Sequence, residues 1–226
     1  ATLEKFLDNL PDNHKIEVVV IDMTAYYRDI IRLCLPGAKI VVDRFHVVSL
    51  ANIAMDEVRK HLQRKFSRQL SDLDEQITEA QRLRNTTLYT TLESKRREAQ
   101  RKYDLLKDSQ TRRTMGFGRD KLRTGGMTLL ARVFAEFPDL QTAYELKEGI
   151  RSIYTQATKA DAEALYSAWV GTVPSGSAFK LFRTDVQRAF RNWSEEIFNY
   201  YDHPYTNGPT ESRNNLIKIL NRTGRG

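Results

Sequence analysis

At 226 residues, with 40% hydrophobic and 29% charged side chains, the chain is long enough for one large domain or for one domain with a sizeable insertion, and its composition is that of a globular protein. A net charge of +7 and a pI near 9.5 point to an acidic partner, nucleic acid ahead of membrane. The lone Cys34 excludes an internal disulfide and fits a reducing, cytoplasmic setting, and no apolar run approaches the roughly 20 residues of a membrane span.

The periodicity predicts an amphipathic helix over 2–10, with Leu3, Phe6, Leu7 and Leu10 on one face and Pro11-Asp12-Asn13 as the stop. A strand follows at about 16–21, where Val18-Val19-Val20-Ile21 runs into Asp22. Thr24 is placed to cap a helix whose Tyr27, Ile30, Ile31 and Leu35 form an apolar stripe, ended by Pro36-Gly37. A second strand, Lys39-Ile40-Val41-Val42, runs into Asp43, 21 residues after Asp22. Two apolar strands joined by one helix make a βαβ unit. Parallel strands need such a crossover, and both acids then fall on the same carboxyl edge, where open α/β sheets bind ligands. Uninterrupted apolar runs are the pattern of strands buried on both faces.

From Val47 to about Tyr103 apolar residues recur every three or four positions. Val58, Leu62, Phe66 and Leu70 form one ladder, and Leu88, Leu92, Ala99 and Tyr103 another, with dense charge between them. This predicts an antiparallel pair of long helices whose charges are either a solvated face or a DNA-facing surface. Residues 109–127 read as a basic, glycine-bearing loop without the spacing of a phosphate-cradling P-loop. Helices are predicted at 127–137, 139–156, 159–170 and 178–201. The aromatic ladder of the last (Phe182, Val186, Phe190, Trp193, Ile197, Tyr201) reads as core. After the Asn207-Gly208-Pro209 turn, helical spacing resumes and puts Glu211 in a first helical turn, where the helix dipole favours a carboxylate.

Three motifs in order carry a resemblance: Val20-Ile21-Asp22-Met23; Asp43-Arg44-Phe45-His46; and Thr206-Asn207-Gly208-x-x-Glu211-x-x-Asn214-Asn215-x-x-Lys218. Together with the wording of residues 35–48 and 143–150, they make the chain similar, over essentially its whole length, to the DDE catalytic domain of bacterial insertion-sequence transposases. That resemblance implies a helix-dominated α/β fold: a partial ribonuclease H-like parallel sheet with a large all-helical insertion. Residues 1–46 would be the partial core, 47–204 the insertion, and 205–226 the return to the core with the helix carrying the catalytic glutamate.

By the same resemblance, Asp22 is the second catalytic aspartate, Asp43 and His46 form an Asp-x-x-His motif, and Glu211 is the final glutamate. Asp22 and Glu211 would be the metal ligands, holding Mg²⁺ with Mn²⁺ as a substitute, for cleavage and strand transfer at phosphodiesters. His46 would either contact DNA or orient Asp43. Arg213, Asn214, Asn215, Lys218 and Arg222 would contact DNA backbone. The implied partners are transposon ends, target DNA and a second copy of the chain, with no membrane.

No apolar run ending in an aspartate precedes residue 16, so the family's first aspartate has no counterpart. The chain therefore reads as a fragment of an enzyme, unable to cut DNA alone. A rival assignment takes Asp22, Asp43 and Glu211 as the whole triad. A rival function is a non-catalytic helical module that binds nucleic acid or acts as a scaffold.

Overall fold

The computed structural model describes residues 2–208. Its elements in chain order are α1 (Thr2–Asp8), β1 (Val18–Ile21), α2 (Ala25–Cys34), β2 (Lys39–Val42), α3 (Arg44–Arg82) and α4 (Thr86–Lys107), then α5 (Ser109–Gly116), α6 (Thr124–Glu136), α7 (Pro138–Ile153), α8 (Lys159–Thr172) and α9 (Gln187–Phe198). The fold is a helix-dominated α/β fold, and β1 and β2 form a two-stranded parallel sheet among the described residues. The chain divides into two compact units. Among the described residues, one comprises 2–50, Ile153–Val170 and 185–208; the other comprises Ala51–Ser152 and Gly171–Thr184.

In the first unit the register pairs Val18 with Lys39 and Ile21 with Val42, so the strands end together. Backbone groups alternate sides along a strand. The amides of Lys39 and Asp43 donate to the carbonyls of Glu17, just before β1, and Ile21, at its end, which leaves Ile40 facing the opposite edge. That edge is covered: the Asn199 side chain, just past α9, donates to the Ile40 carbonyl at 3.0 Å. The outer edge of β1 carries no such partner among the described residues. The burial pattern follows this difference, since Ile40, Val41 and Val42 are buried whereas Val18, Val19 and Val20 are only half-buried. Two-face burial thus holds for β2 alone.

Helix α2 buries Ile30, Ile31 and Leu35, but Tyr27 stays exposed, and in α1 Leu7 is buried while Phe6 is exposed. Thr24 occupies the N-cap of α2 through its backbone carbonyl, with no side-chain cap bond. Arg28 and Arg32 of α2 converge on the buried Glu196 of α9, Arg32 at 2.9 Å. The predicted continuous helix over 178–201 is instead broken. It has a π-helical turn at Phe182–Val186, and Trp193 is non-helical. At that break the carbonyl of Asn192 receives the Arg28 guanidinium at 2.9 Å, which also lies over the Trp193 ring. A cation thus takes a carbonyl that the distorted ladder presents to it. Phe182, Val186, Phe190, Trp193 and Ile197 are buried, as core aromatics should be.

In the second unit α3 and α4 form the expected antiparallel hairpin. Leu73, Ile77 and Ala80 pack with Leu92 and Ala99, and Asp74 pairs with Arg96. Arg84, in the left-handed region, ends α3, and the side chain of Asn85 caps α4 by accepting from Leu88. Leu88 itself lies outside the buried ladder. Residues 109–116, read from sequence as loop, are a helix. Asp108 caps it by accepting from the Thr111 amide at 2.7 Å, and Thr111, Thr114 and Met115 point inward.

Candidate active site

Asp22 and Asp43 lie just past the ends of two parallel strands in register, on one carboxyl edge. Their surroundings differ. Asp43 is 2% exposed, and both its carboxylate oxygens are engaged by backbone donors. Oδ1 accepts from the Phe45 amide at 3.0 Å, a capping bond at the start of α3, and Oδ2 accepts from the Asn207 amide at 3.1 Å. Asp43 therefore ties the end of β2 to the Thr206-Asn207-Gly208 segment, 164 residues further along. Asp22 is half-buried, and its Oδ1 is fully buried with no hydrogen-bond partner among the described residues. A partnerless buried carboxylate oxygen is costly in an apolar setting and is the donor type that a hard cation takes.

His46 sits in the first turn of α3, half-buried, with its ring edge-on to Phe45 at 5.6 Å. Its backbone amide donates to the Asp43 carbonyl. The groups that hold the Asp43 carboxylate are the Phe45 and Asn207 amides. Behind Asp43 stands a layer that sequence reasoning missed. Arg44 donates to the Tyr200 hydroxyl at 3.0 Å, and Tyr200 meets Tyr154 edge-on at 5.4 Å. The Tyr154 hydroxyl is buried without a partner among the described residues. Burial first, then Tyr201 and the Asp43 charge, push its pKa far above the ordinary tyrosine value. No local pattern flags Tyr154, which comes from the end of α7.

Glu211, Arg213, Asn214, Asn215, Lys218 and Arg222 lie outside the described residues. Among the described residues no group of three or more acids, histidines or cysteines could hold a metal ion, and no helix is long and apolar enough to cross a membrane. The set that brings Asp22, Asp43 and His46 to one sheet edge is the set of the first two motifs, in the same order.

The comparison with family models decides the lineage: the transposase family DDE_Tnp_ISL3 matches residues 1–226. The chain belongs to this transposase family. No curated protein and no solved structure matches it. In the transposase the residues at 143–150 have a structural task. Tyr144 and Lys147 are fully buried, and the Lys147 ammonium donates to the carbonyls of Met115 and Phe117 at 3.0 and 2.6 Å and pairs with Glu148. These carbonyls close the C-terminal end of α5, which a buried cation satisfies and the helix dipole favours.

Proposed function

We propose that this transposase chain carries part of a metal-dependent site for DNA cleavage and strand transfer, with Asp22 as a metal ligand and Asp43 as a positioning residue. The observation that supports this reading is the buried, partnerless Oδ1 of Asp22 at the carboxyl edge of the sheet. A divalent cation, when bound, supplies the charge that activates the attacking oxygen and stabilises the leaving oxygen in an in-line displacement at phosphorus. Asp22 offers it a hard oxygen donor that the described residues leave unsatisfied. Each oxygen of the Asp43 carboxylate already accepts from a backbone amide, so its work is to hold the strand end against the segment that leads to Glu211. Glu211 is the candidate for a second ligand. Among the described residues the His46 ring makes no hydrogen bond to the Asp43 carboxylate, which favours its DNA-contacting role. Arg213, Asn214, Asn215, Lys218 and Arg222 follow Glu211 as candidate backbone contacts.

Titration of the chain with Mn²⁺, followed by paramagnetic resonance, tests the assignment. Asp22→Asn is expected to weaken binding at least about tenfold, while its melting temperature in chelator stays equal or rises, because a buried unpartnered charge has been removed. Asp43→Asn is expected to keep the metal so long as circular dichroism shows it folded. Loss of Mn²⁺ from a folded Asp43→Asn, with Asp22→Asn unaffected, would instead favour Asp43 as a ligand. Mn²⁺ binding indifferent to both acids would favour the helical, non-catalytic nucleic-acid-binding role.

A further inference from the structure

Helix α5 carries charge that the sheet-edge site does not use. With Thr111, Thr114 and Met115 turned inward, Arg112 and Arg113 are left on its exposed side. Beside them, between α5 and the Asn52–Arg59 stretch of α3, lies a cleft of about 430 Å³. Asn52, Asp56, Arg59, Ser109, Arg112 and Arg113 are among the side chains that line it.

The charges in this cleft do not cancel. Asp56 is its one carboxylate, and Arg59 and Lys60 already hold it at 2.7 and 2.9 Å. Burial disfavours its ionised form, but the hydrogen bonds from Arg59 and Lys60 outweigh that and keep the Asp56 carboxyl below its ordinary pKa. Asp56 is therefore a spent anion facing two cations. The side chains of Arg112 and Arg113 make no ion pair and no hydrogen bond among the described residues, in contrast with Arg64, Arg96 and Arg101 of the two long helices, each of which is ion-paired.

The cleft is also built rather than incidental. Arg59 is 4% exposed, and its guanidinium is fixed by Asp56, by Gln63 at 3.1 Å and by the Leu106 carbonyl at 2.9 Å. Asn52 adds a carboxamide whose Oδ1 is buried without a partner among the described residues, none of which fixes that amide oxygen in place. A concave wall with a fixed guanidinium, a rim of two uncommitted guanidinium groups and an adaptable amide matches one chemistry well. Guanidinium forks bind phosphate oxygens in pairs, and the exposed rim admits a ligand that continues beyond the cleft.

We propose that this cleft is a DNA-backbone site of the helical unit, in which Arg112 and Arg113 grip a phosphodiester of duplex DNA beside the anchored Arg59. The proposal rests on the DNA-acting reading of the chain and adds to it a contact remote in sequence from both motif acids. As a backbone contact it positions the duplex without reading base sequence.

The test is fluorescence anisotropy of the full chain with a duplex of about 30 base pairs and arbitrary sequence, between about 50 and 200 mM salt. Each phosphate contact contributes about 0.9 to the slope of log K against log salt. The Arg112→Ala/Arg113→Ala double variant is expected to lower that slope by about 1 and to weaken low-salt binding at least about tenfold. Arg68→Ala/Arg97→Ala removes the same charge from exposed positions elsewhere on α3 and α4 and is expected to keep the wild-type slope. Equal losses in both double variants would mean diffuse attraction and overturn the site, as would no loss in either. A wild-type chain that binds no duplex at any salt would remove the DNA-acting reading as well. The remaining arm is inorganic phosphate at constant ionic strength. Thermal stabilisation by phosphate that disappears in Arg112→Ala/Arg113→Ala, with duplex binding unchanged, would assign the cleft to a small anion and overturn the proposal.

Discussion

Two aspartates end neighbouring strands, yet they are in opposite chemical states, and the difference lies in their hydrogen-bond partners. Asp43 accepts from two backbone amides, so its removal would leave two part-buried donors unsatisfied and α3 uncapped. Asp43→Ala is expected to cost about 1–3 kcal/mol, read from the urea midpoint. Asp22 is the reverse: its buried Oδ1 has no donor among the described residues. Lys147 gives a third, pH-dependent case. Burial lowers its pKa from 10.5 to about 8, against the Glu148 carboxylate, which pulls the other way. The unfolded chain would hold this proton up to about pH 10.5 and the fold only to about 8, so unfolding takes up a proton in that range and stability rises with pH. Tyr144, pushed up from 10 to about 12 chiefly by burial, acts oppositely above pH 10, since there the unfolded chain loses its proton first. Stability is therefore expected to climb between about pH 8 and 10, by on the order of 1–2 kcal/mol, and then to turn over. Urea midpoints at about pH 7.5 and 9.5 check this, and the rise should be absent in Lys147→Met.

Among the elements, the α3–α4 hairpin was legible because its apolar residues recur at the helical period and a single break, Arg84-Asn85, separates the two ladders. Its distal half packs around one small cluster, Leu73, Ile77, Ala80, Leu92 and Ala99. Leu92→Ala is expected to cost about 2–4 kcal/mol. Hydrogen exchange should show faster opening over 73–99 and unchanged protection in β1 and β2. Helix α5 was not legible, because Gly116 and Gly118 and a run of charge resemble a loop. Its helix is secured at one end by Asp108, which is local, and at the other by Lys147, some 30 residues later, which is not. The break in α9 was hidden for a similar reason. The side chain that answers the Asn192 carbonyl is Arg28, 164 residues earlier.

On the scale of the molecule, the sheet has, among the described residues, one protected edge and one bare edge. Asn199 covers β2, whereas the outer side of β1 is a groove of about 370 Å³ lined by Lys15, Glu17, Val18, Val20 and Tyr205. Uncovered β edges recruit further strands. Sedimentation velocity is expected to show concentration-dependent dimers that Val18→Lys disperses, and a strictly monomeric wild-type profile would count against an edge-mediated pairing.

Sequence alone determined the βαβ unit, the shared edge of Asp22 and Asp43, the helical character of most of the chain and, through three ordered motifs, the transposase lineage. Each of these rests on local periodicity or on residues a few positions apart, which is the information a linear pattern carries. Tertiary structure decided which of the two edge aspartates is satisfied and which is left open, that α5 is a helix, and that Arg112 and Arg113 face a cleft whose far wall is Arg59. Those outcomes depend on donors and acceptors that meet only on folding, from positions about 30 to 160 residues apart, so no reading of spacing reaches them.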